Sequence, residues 1–355
     1  MRDLEEIYDA ALLGEDISSD LPRLEAMLHE ATDDDRCTVV MAMAHHLINQ
    51  GDWATLFSRA EREPNEMDRY WQYLAVKSSV DRVDITQAVP ALHRALLDPC
   101  EGVRRRVSET LATCHLGQEE HQAVSELLDH EDSEVLEGAL DVIGEAAENQ
   151  DIGWLVGRLR TLADIEGHDS YVRQKASMAL SAQCAARDIS AFDRLFESKN
   201  PYVLAAAFRK WKSIETPQEI AWTRFRRAVG SEDWEVRCAA REALAIYAQS
   251  CDITALVELL HSELKKQYNT PFSRIGEALM YHYIRSSDQP HMVSLLTAID
   301  PNEGPPPPFE TRSGAFGALK ALARQGRGIT KTMNLVIDAL TEDQLLDLQT
   351  IPAIK

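Results

Sequence analysis

Thirteen carboxylates fall between Val107 and Gly157, and no lysine or arginine lies among them. Four of these, Glu134, Glu137, Asp141 and Glu145, recur every three or four residues. That spacing puts side chains on one face of a helix. A row of like charges repels itself and lowers stability. It can also guide a basic partner, because complementary charge speeds encounter and selects against wrong partners. The first 70 residues share the bias, with 17 acidic residues against 6 basic ones.

A second group has the opposite sign. Residues Arg194 to Arg241 hold ten basic residues and six acidic ones. Arg209-Lys210-Trp211-Lys212 and Trp222-Thr223-Arg224-Phe225-Arg226-Arg227 interleave rings with cations. Of these, Arg209, Lys210, Trp211, Arg224, Arg226 and Arg227 have the chemistry to hold nucleic acid, with rings stacking on bases and cations meeting phosphates. The same order arises when aromatic residues belong to a core and the charges between them are solvated. The apolar character of Trp211, Trp222 and Phe225 favours the core.

Metal and cofactor chemistry finds little support. His45 and His46 are adjacent, and neighbours on a helix point about 100° apart, so they do not chelate one ion. One is expected to be partly buried and the other exposed. Cys114-His115, His121 and His130 match no standard zinc spacing. Phosphate-binding G-x-x-x-x-G-K-[ST], dinucleotide G-x-G-x-x-G, esterase G-x-S-x-G and zinc-protease H-E-x-x-H patterns are absent. The expectation is a protein with no metal, no cofactor and no common catalytic motif.

The elements that must position these residues are helices. The chain has 355 residues, 45% apolar and 27% charged, enough for a large core. Apolar residues recur at helical spacing, as in Val135, Ala139, Leu140, Ile143 and Ala147. No Asn-Gly or Asp-Gly hairpin turn occurs, so the chain reads as all-α. The helices repeat in pairs. One ends at Asp98-Pro99, and the next begins at Val103-Arg104. Equivalent valines follow at Val135, Val172, Val203 and Val236, at intervals of 31 to 37 residues, with Arg173 and Arg237 after two of them. Weaker units surround Arg36, Arg69, Arg274 and Arg312. About eight or nine helix pairs are expected in one continuous array over 1–355. Its repeats are degenerate over 1–88, clearest over 89–250, and degenerate again over 251–355, which ends in a cap at Ile329–Gln349. Pro305 to Pro308 favour polyproline II and read as a stiff connection before a helix at Phe309–Arg324.

This D-P-x-x-x-V-R and A-x-x-A-L pattern resembles the HEAT-repeat family, in particular the short HEAT-like repeats of the bacterial PBS-lyase type. The resemblance implies an α-solenoid, a stack of antiparallel helix pairs sharing one core. It also implies that the arginine after the valine bonds to a turn aspartate of its own or the adjacent repeat, with Asp98 and Arg104 as the candidate pair. Two relatives of such repeats are enzymes, the HEAT-like alkylpurine DNA glycosylases and the bilin lyases. Nothing in this sequence marks a bilin site.

A net charge of -21 argues against nucleic acid or an anionic membrane as the main partner. The N-terminus lacks an apolar signal segment, and the longest uncharged, largely apolar run, Cys37 to Gln50, is too short to span a bilayer. Six scattered cysteines without a C-x-x-C pair read as reduced, mostly buried thiols of a cytoplasmic protein. The expected function is non-enzymatic protein–protein interaction, a scaffold, adaptor or immunity-type protein whose concave acidic surface takes a basic protein. The alternatives are nucleic-acid binding, with or without glycosylase-like activity, through residues 194–241, and a bilin-lyase-like enzyme.

Overall fold

Local sequence decides where each helix begins. An aspartate two residues before Ser, Thr or Gly closes the turn into several of the short helices. Asp16 Oδ1 accepts from the Ser18 amide at 2.9 Å and its hydroxyl at 2.6 Å. Asp84 does the same for Thr86 at 2.9 and 2.6 Å, and Asp252 for Thr254 at 2.9 and 2.7 Å. Asp151 accepts from the Gly153 amide at 2.9 Å. The isoleucine between, at Ile17, Ile85, Ile152 and Ile253, is buried each time. The four sites lie two, two and three repeat periods apart in the chain. They form a second register of the repeat that the valine anchors do not show. Four helices of the repeat begin at Asn or Asp caps, whose side chains accept otherwise orphaned amides. Asn65, Asp132, Asn200 and Asp233 do this.

The structure is a computed structural model that describes residues 2–211, 218–264, 272–297, 309–324, 334, 336 and 340–349. The Pro305–Pro308 loop and residues 329–333, 335 and 337–339 of the expected cap lie outside the described residues. Backbone contacts divide the chain into two units, Met1–Arg187 and Asp188–Lys355.

In the first unit α1 (Leu4–Leu12) and α2 (Leu21–Met27) lead into α3 (Asp33–Gln50). Short helices α4 (Trp53–Arg62), α6 (Val89–Ala95), α8 (His121–Leu128) and α10 (Val156–Asp164) then alternate with long ones. The long helices are α5 (Glu66–Ser79), α7 (Glu101–Gly117), α9 (Ser133–Asn149) and α11 (Ser170–Arg187). Helices α1, α3, α5, α7, α9 and α11 pack side by side as one layer, and each short helix covers the long helix of its pair. The second unit repeats this plan. Helices α12 (Ile189–Leu195), α14 (Gln218–Val229), α16 (Thr254–Leu264) and α18 (Gln289–Leu296) cover the layer of α13 (Pro201–Lys210), α15 (Trp234–Ser250), α17 (Phe272–Ser286) and α19 (Phe309–Arg324). A last helix, Glu342–Gln349, packs on α19. Nine helix pairs therefore follow one another among the described residues, all of them helical, and the fold is an α-solenoid.

The core of each unit lies between its two layers. Val103, Val135, Val172, Val203 and Val236 are all buried there. Small residues let the long helices come close. A Cβ on Gly138 of α9 would lie 2.4 Å from the Arg105 carbonyl oxygen of α7. Between α17 and α19 the approach is tighter and mutual. A Cβ on Gly276 would lie 2.1 Å from the Thr311 carbonyl oxygen, and one on Gly314 would lie 1.7 Å from that of Ser273. Real Cβ atoms do not reach such distances, so only glycine fits. Gly314→Val is therefore expected to force α17 and α19 apart and destabilise the protein by about 3 kcal/mol, the upper range for overpacking. Gly144→Ala, where a Cβ meets no atom within 4 Å, is expected to hold or raise stability through better helix propensity. Thermal unfolding followed by circular dichroism separates the two; equal midpoints for Gly314→Val and wild type would contradict the close approach.

Helix α3 corrects one expectation, since His45 and His46 are both buried rather than split between core and solvent. His45 Nδ1 meets the Ser79 hydroxyl at 3.2 Å, while its Nε2 is buried without a hydrogen-bond partner among the described residues. Burial, helped by the Arg82 charge, lowers its pKa from 6.5 to about 4. The neutral ring is favoured in the folded chain, whereas the unfolded chain takes up a proton near 6.5. Stability from this site is thus present above pH 6.5 and is lost as pH falls towards 4. The expected loss is up to about 3 kcal/mol. Urea unfolding at pH 7 and pH 4.5 is expected to show a smaller difference for His45→Gln than for wild type; parallel losses would refute the assignment.

Candidate functional site

Helix α9 carries the acidic row, and the structure divides its four carboxylates. Glu137 and Asp141 sit on the seams with neighbouring long helices. Arg105 of α7 reaches Glu137 at 3.3 Å, Asp141 at 2.8 Å and Glu109 at 3.8 Å. Lys175 of α11 pairs with Asp141 from the other side. Glu109 in turn takes Lys77 of α5 at 2.5 Å and Arg106. A chain of ion pairs thus crosses α5, α7, α9 and α11. Burial works to raise the Asp141 carboxyl, but Lys175 and Arg105 outweigh it and hold it below the ordinary value. Burial pushes the Glu137 carboxyl up, aided by Glu134 and opposed by Arg105. Glu145 is exposed and Glu134 is half-buried, and neither forms an ion pair among the described residues. The cations missing from the 107–157 stretch are supplied in space by adjacent repeats.

A second set of ion pairs links successive turns. Arg36 meets Asp68 at 2.5 Å, Arg69 meets Asp98 at 2.9 Å, and Arg104 meets Asp132 at 2.9 Å. Each arginine stands in the first turn of a long helix, where the positive end of the helix dipole disfavours a cation. Each aspartate belongs to the start of the next long helix. The expected pairing of Asp98 with Arg104 is corrected accordingly. The Asp98 carboxylate takes Arg69 from the preceding repeat, and Arg104 meets Asp98 through the backbone carbonyl at 2.9 Å. Asp98 also accepts the Cys100 amide at 2.8 Å, and Asp132 caps α9. The series stops at α9 because Leu136 follows Val135. Arg173 donates to the Ala163 carbonyl, and Arg237 to those of Ser231 and Glu232. Sequence had marked Arg36 and Arg69 only as weak units; their aspartates one repeat away were the signal that completes them.

The rings of Phe196, Phe208, Trp211 and Phe225 form part of a core, while Arg226 and Arg227 are exposed. Trp211 is 5% exposed, stacks on Phe208 at 5.9 Å and meets Phe196 edge-on at 4.7 Å. Phe225 is fully buried against Trp211 and Phe208. The ring faces that a base would need are taken by neighbouring side chains. The cations are engaged as well. Arg224 meets Asp193 at 3.0 Å, Arg209 pairs with Glu235, and Arg226 donates to the Ala255 carbonyl at 3.1 Å. Arg227 donates to the Phe196 carbonyl at 3.5 Å. Lys210 closes α13 half-buried.

The other histidines have separate partners. His115 bonds Glu120 at 2.6 Å, His121 stacks on Trp154 at 4.1 Å, and His130 accepts the Asp132 amide at 3.1 Å. Among the described residues no three His, Cys, Asp or Glu side chains are grouped to hold a metal ion. All six cysteines carry free thiols; Cys114 and Cys184 are buried and the other four are half-buried. No helix among the described residues is long and apolar enough to cross a membrane.

The division into units sorts the charge. Met1–Arg187 contains 37 acidic residues against 17 basic ones, a net of -20, while Asp188–Lys355 contains 21 against 20, a net of -1. Nearly all of the net negative charge of the chain is therefore confined to the first unit.

No protein-family model matches the chain, and no curated protein is similar to it. Solved structures are. The structure in which Kap95p binding induces the switch loops of RanGDP to adopt the GTP-bound conformation aligns with a TM-score of 0.58 at 11% identity. That alignment covers 98% of this chain and 52% of the other. The crystal structure of a Kap121p mutant aligns at a TM-score of 0.43 and 13% identity, covering 98% of this chain and 42% of the other. The chain thus spans about half the length of the solved structures it matches. An identity this low speaks to fold alone, and the alignment at a TM-score of 0.58 supports an α-solenoid.

Proposed function

We propose that this chain is a non-enzymatic protein-interaction scaffold whose first unit, Met1–Arg187, docks a basic partner protein. The observation that carries the reading is the confinement of a net -20 to that unit. Six of its 17 cations, Arg36, Arg69, Lys77, Arg104, Arg105 and Lys175, stand in bridges between repeats. Carboxylates such as Glu134 and Glu145 are left to meet an incoming charge. Stacked helix pairs present extended surfaces of this kind. A repeat period of 31 to 37 residues and the D-P-x-x-x-V-R pattern support assigning the repeats to the short bacterial PBS-lyase type, and the six free thiols support action in the cytoplasm.

Of the four carboxylates on α9, Glu137 and Asp141 hold the seams together, so their reversal would confuse docking with stability. Glu134→Lys with Glu145→Lys is the informative variant. The chain is used to capture partners from nuclease-treated native lysate at low and moderate salt, read by mass spectrometry. A basic protein at stoichiometric yield, weakened by salt and weakened about tenfold by the double variant, is expected. Capture unchanged by the variant would remove α9 from the docking surface. Recovery of nuclease-sensitive complexes alone would transfer the function to nucleic acid.

A further inference from the structure

We propose that the cavity between α12, α13 and α14 is a docking pocket for an amphipathic peptide segment of a partner protein, whose apolar side chain enters the cavity while a flanking lysine or arginine meets Glu197 and Glu219. The proposal rests on the scaffold reading and adds a site in the second unit, away from the acidic row of α9.

The cavity measures about 440 Å³. That volume is enough for one or two large side chains and lies within the range of binding pockets. Its floor is apolar, formed by Phe196, Leu204, Phe208 and Ala228, all buried or nearly so. At the lip, Ile220 is 44% exposed, a large apolar side chain left in water beside an apolar opening. Covering Ile220 and filling the floor would remove apolar surface from water, the usual source of binding energy at such sites.

Charge selects the occupant. Arg224 is held in the wall by Asp193 at 3.0 Å, with its guanidinium 4.4 Å over the Phe196 ring and 5.2 Å over Trp211. Asp193 and Arg224 therefore cancel. Arg227 lies on the Phe196 carbonyl. Glu197 and Glu219 also line the cavity, both are exposed, and neither forms an ion pair among the described residues. The lining thus carries three carboxylates against two guanidiniums, and with Asp193 and Arg224 paired its exposed charges are Glu197 and Glu219 against Arg227, which leaves a net of one negative charge. An anionic ligand would meet Glu197 and Glu219 unfavourably, and a purely apolar one would leave them unused. A segment pairing an apolar side chain with a cation satisfies both parts.

The test uses the full chain and three fluorescein-labelled synthetic peptides. The first places a leucine between lysines in a Ser/Gly background; the second replaces the lysines by glutamates; the third replaces the leucine by alanine. Fluorescence anisotropy is expected to show saturable binding of the first peptide, about tenfold tighter than either control. Glu197→Lys with Glu219→Lys, and separately Ile220→Asp, are expected to weaken it about tenfold. These positions are exposed, so circular dichroism is expected to match wild type. Glu134→Lys with Glu145→Lys is expected to leave peptide binding unchanged, which keeps failure here distinct from failure of the first-unit docking surface. Equal binding of the lysine and glutamate peptides, equal binding of the leucine and alanine peptides, or no saturable binding would each overturn the proposal.

Discussion

The stacking of one long helix on the next is the interaction on which this structure depends. A single helix pair has an apolar stripe it cannot cover by itself, so each pair is stable only when its neighbours supply the other wall of the core. The five valine anchors are buried for this reason, and they remain buried although the residues around them vary. The same constraint explains the glycines that face a neighbouring backbone. At Gly138, Gly276 and Gly314 no side chain fits between the long helices, and the chain carries none.

Close stacking then dictates where charge can go. Long helices lying side by side bring their polar edges together, and a cation near a helix N-terminus needs an anion. The arginine of one repeat finds it in the aspartate of the next, at Arg36–Asp68, Arg69–Asp98 and Arg104–Asp132. Those aspartates also bind backbone amides at Asp98 and Asp132, so one residue stabilises both a turn and an inter-repeat contact. A structural role of this kind withdraws arginines from the surface of a unit that has 17 cations against 37 carboxylates. The first unit is left with an excess of acid over base. The proposed preference for a basic partner would follow from how its repeats are joined.

The second unit meets the same requirement with different side chains. Phe192, Phe196, Phe208, Trp211 and Phe225 form a continuous set of ring contacts across α12 to α14. Deeper in that unit Arg241 and Glu263, each 1% exposed, pair at 3.1 Å between α15 and α16. Removing two charges from water is costly, and only mutual attraction with added hydrogen bonds offsets it. Arg241 gains one such bond from the Val229 carbonyl at 3.2 Å. A pair of that kind fixes how α16 sits on α15 more than it adds stability. Near-neutral charge and a large aromatic core leave this unit without the long-range field of the first.

The sequence by itself determined the helices, the repeat and most of the core. Helical spacing, Asn and Asp caps, and valines at intervals near 34 residues are local properties, and local hydrogen bonding and apolar patterning decide them. The helix Phe309–Arg324 and the buried Val236 were legible on those grounds. Tertiary structure alone decided which charge meets which. Asp98 chose Arg69, about thirty residues upstream, over Arg104, six residues away, because stacked repeats bring distant residues closer than neighbours on one chain. For the same reason the cation-free stretch around α9 is threaded by Arg105 and Lys175 from adjoining helices. Both histidines of α3 went into the core, since packing from α1 and α5 covers two faces of that helix where a lone pair would have left one wet. Charge counted along a chain is a one-dimensional quantity, and the field a partner meets is set in three dimensions.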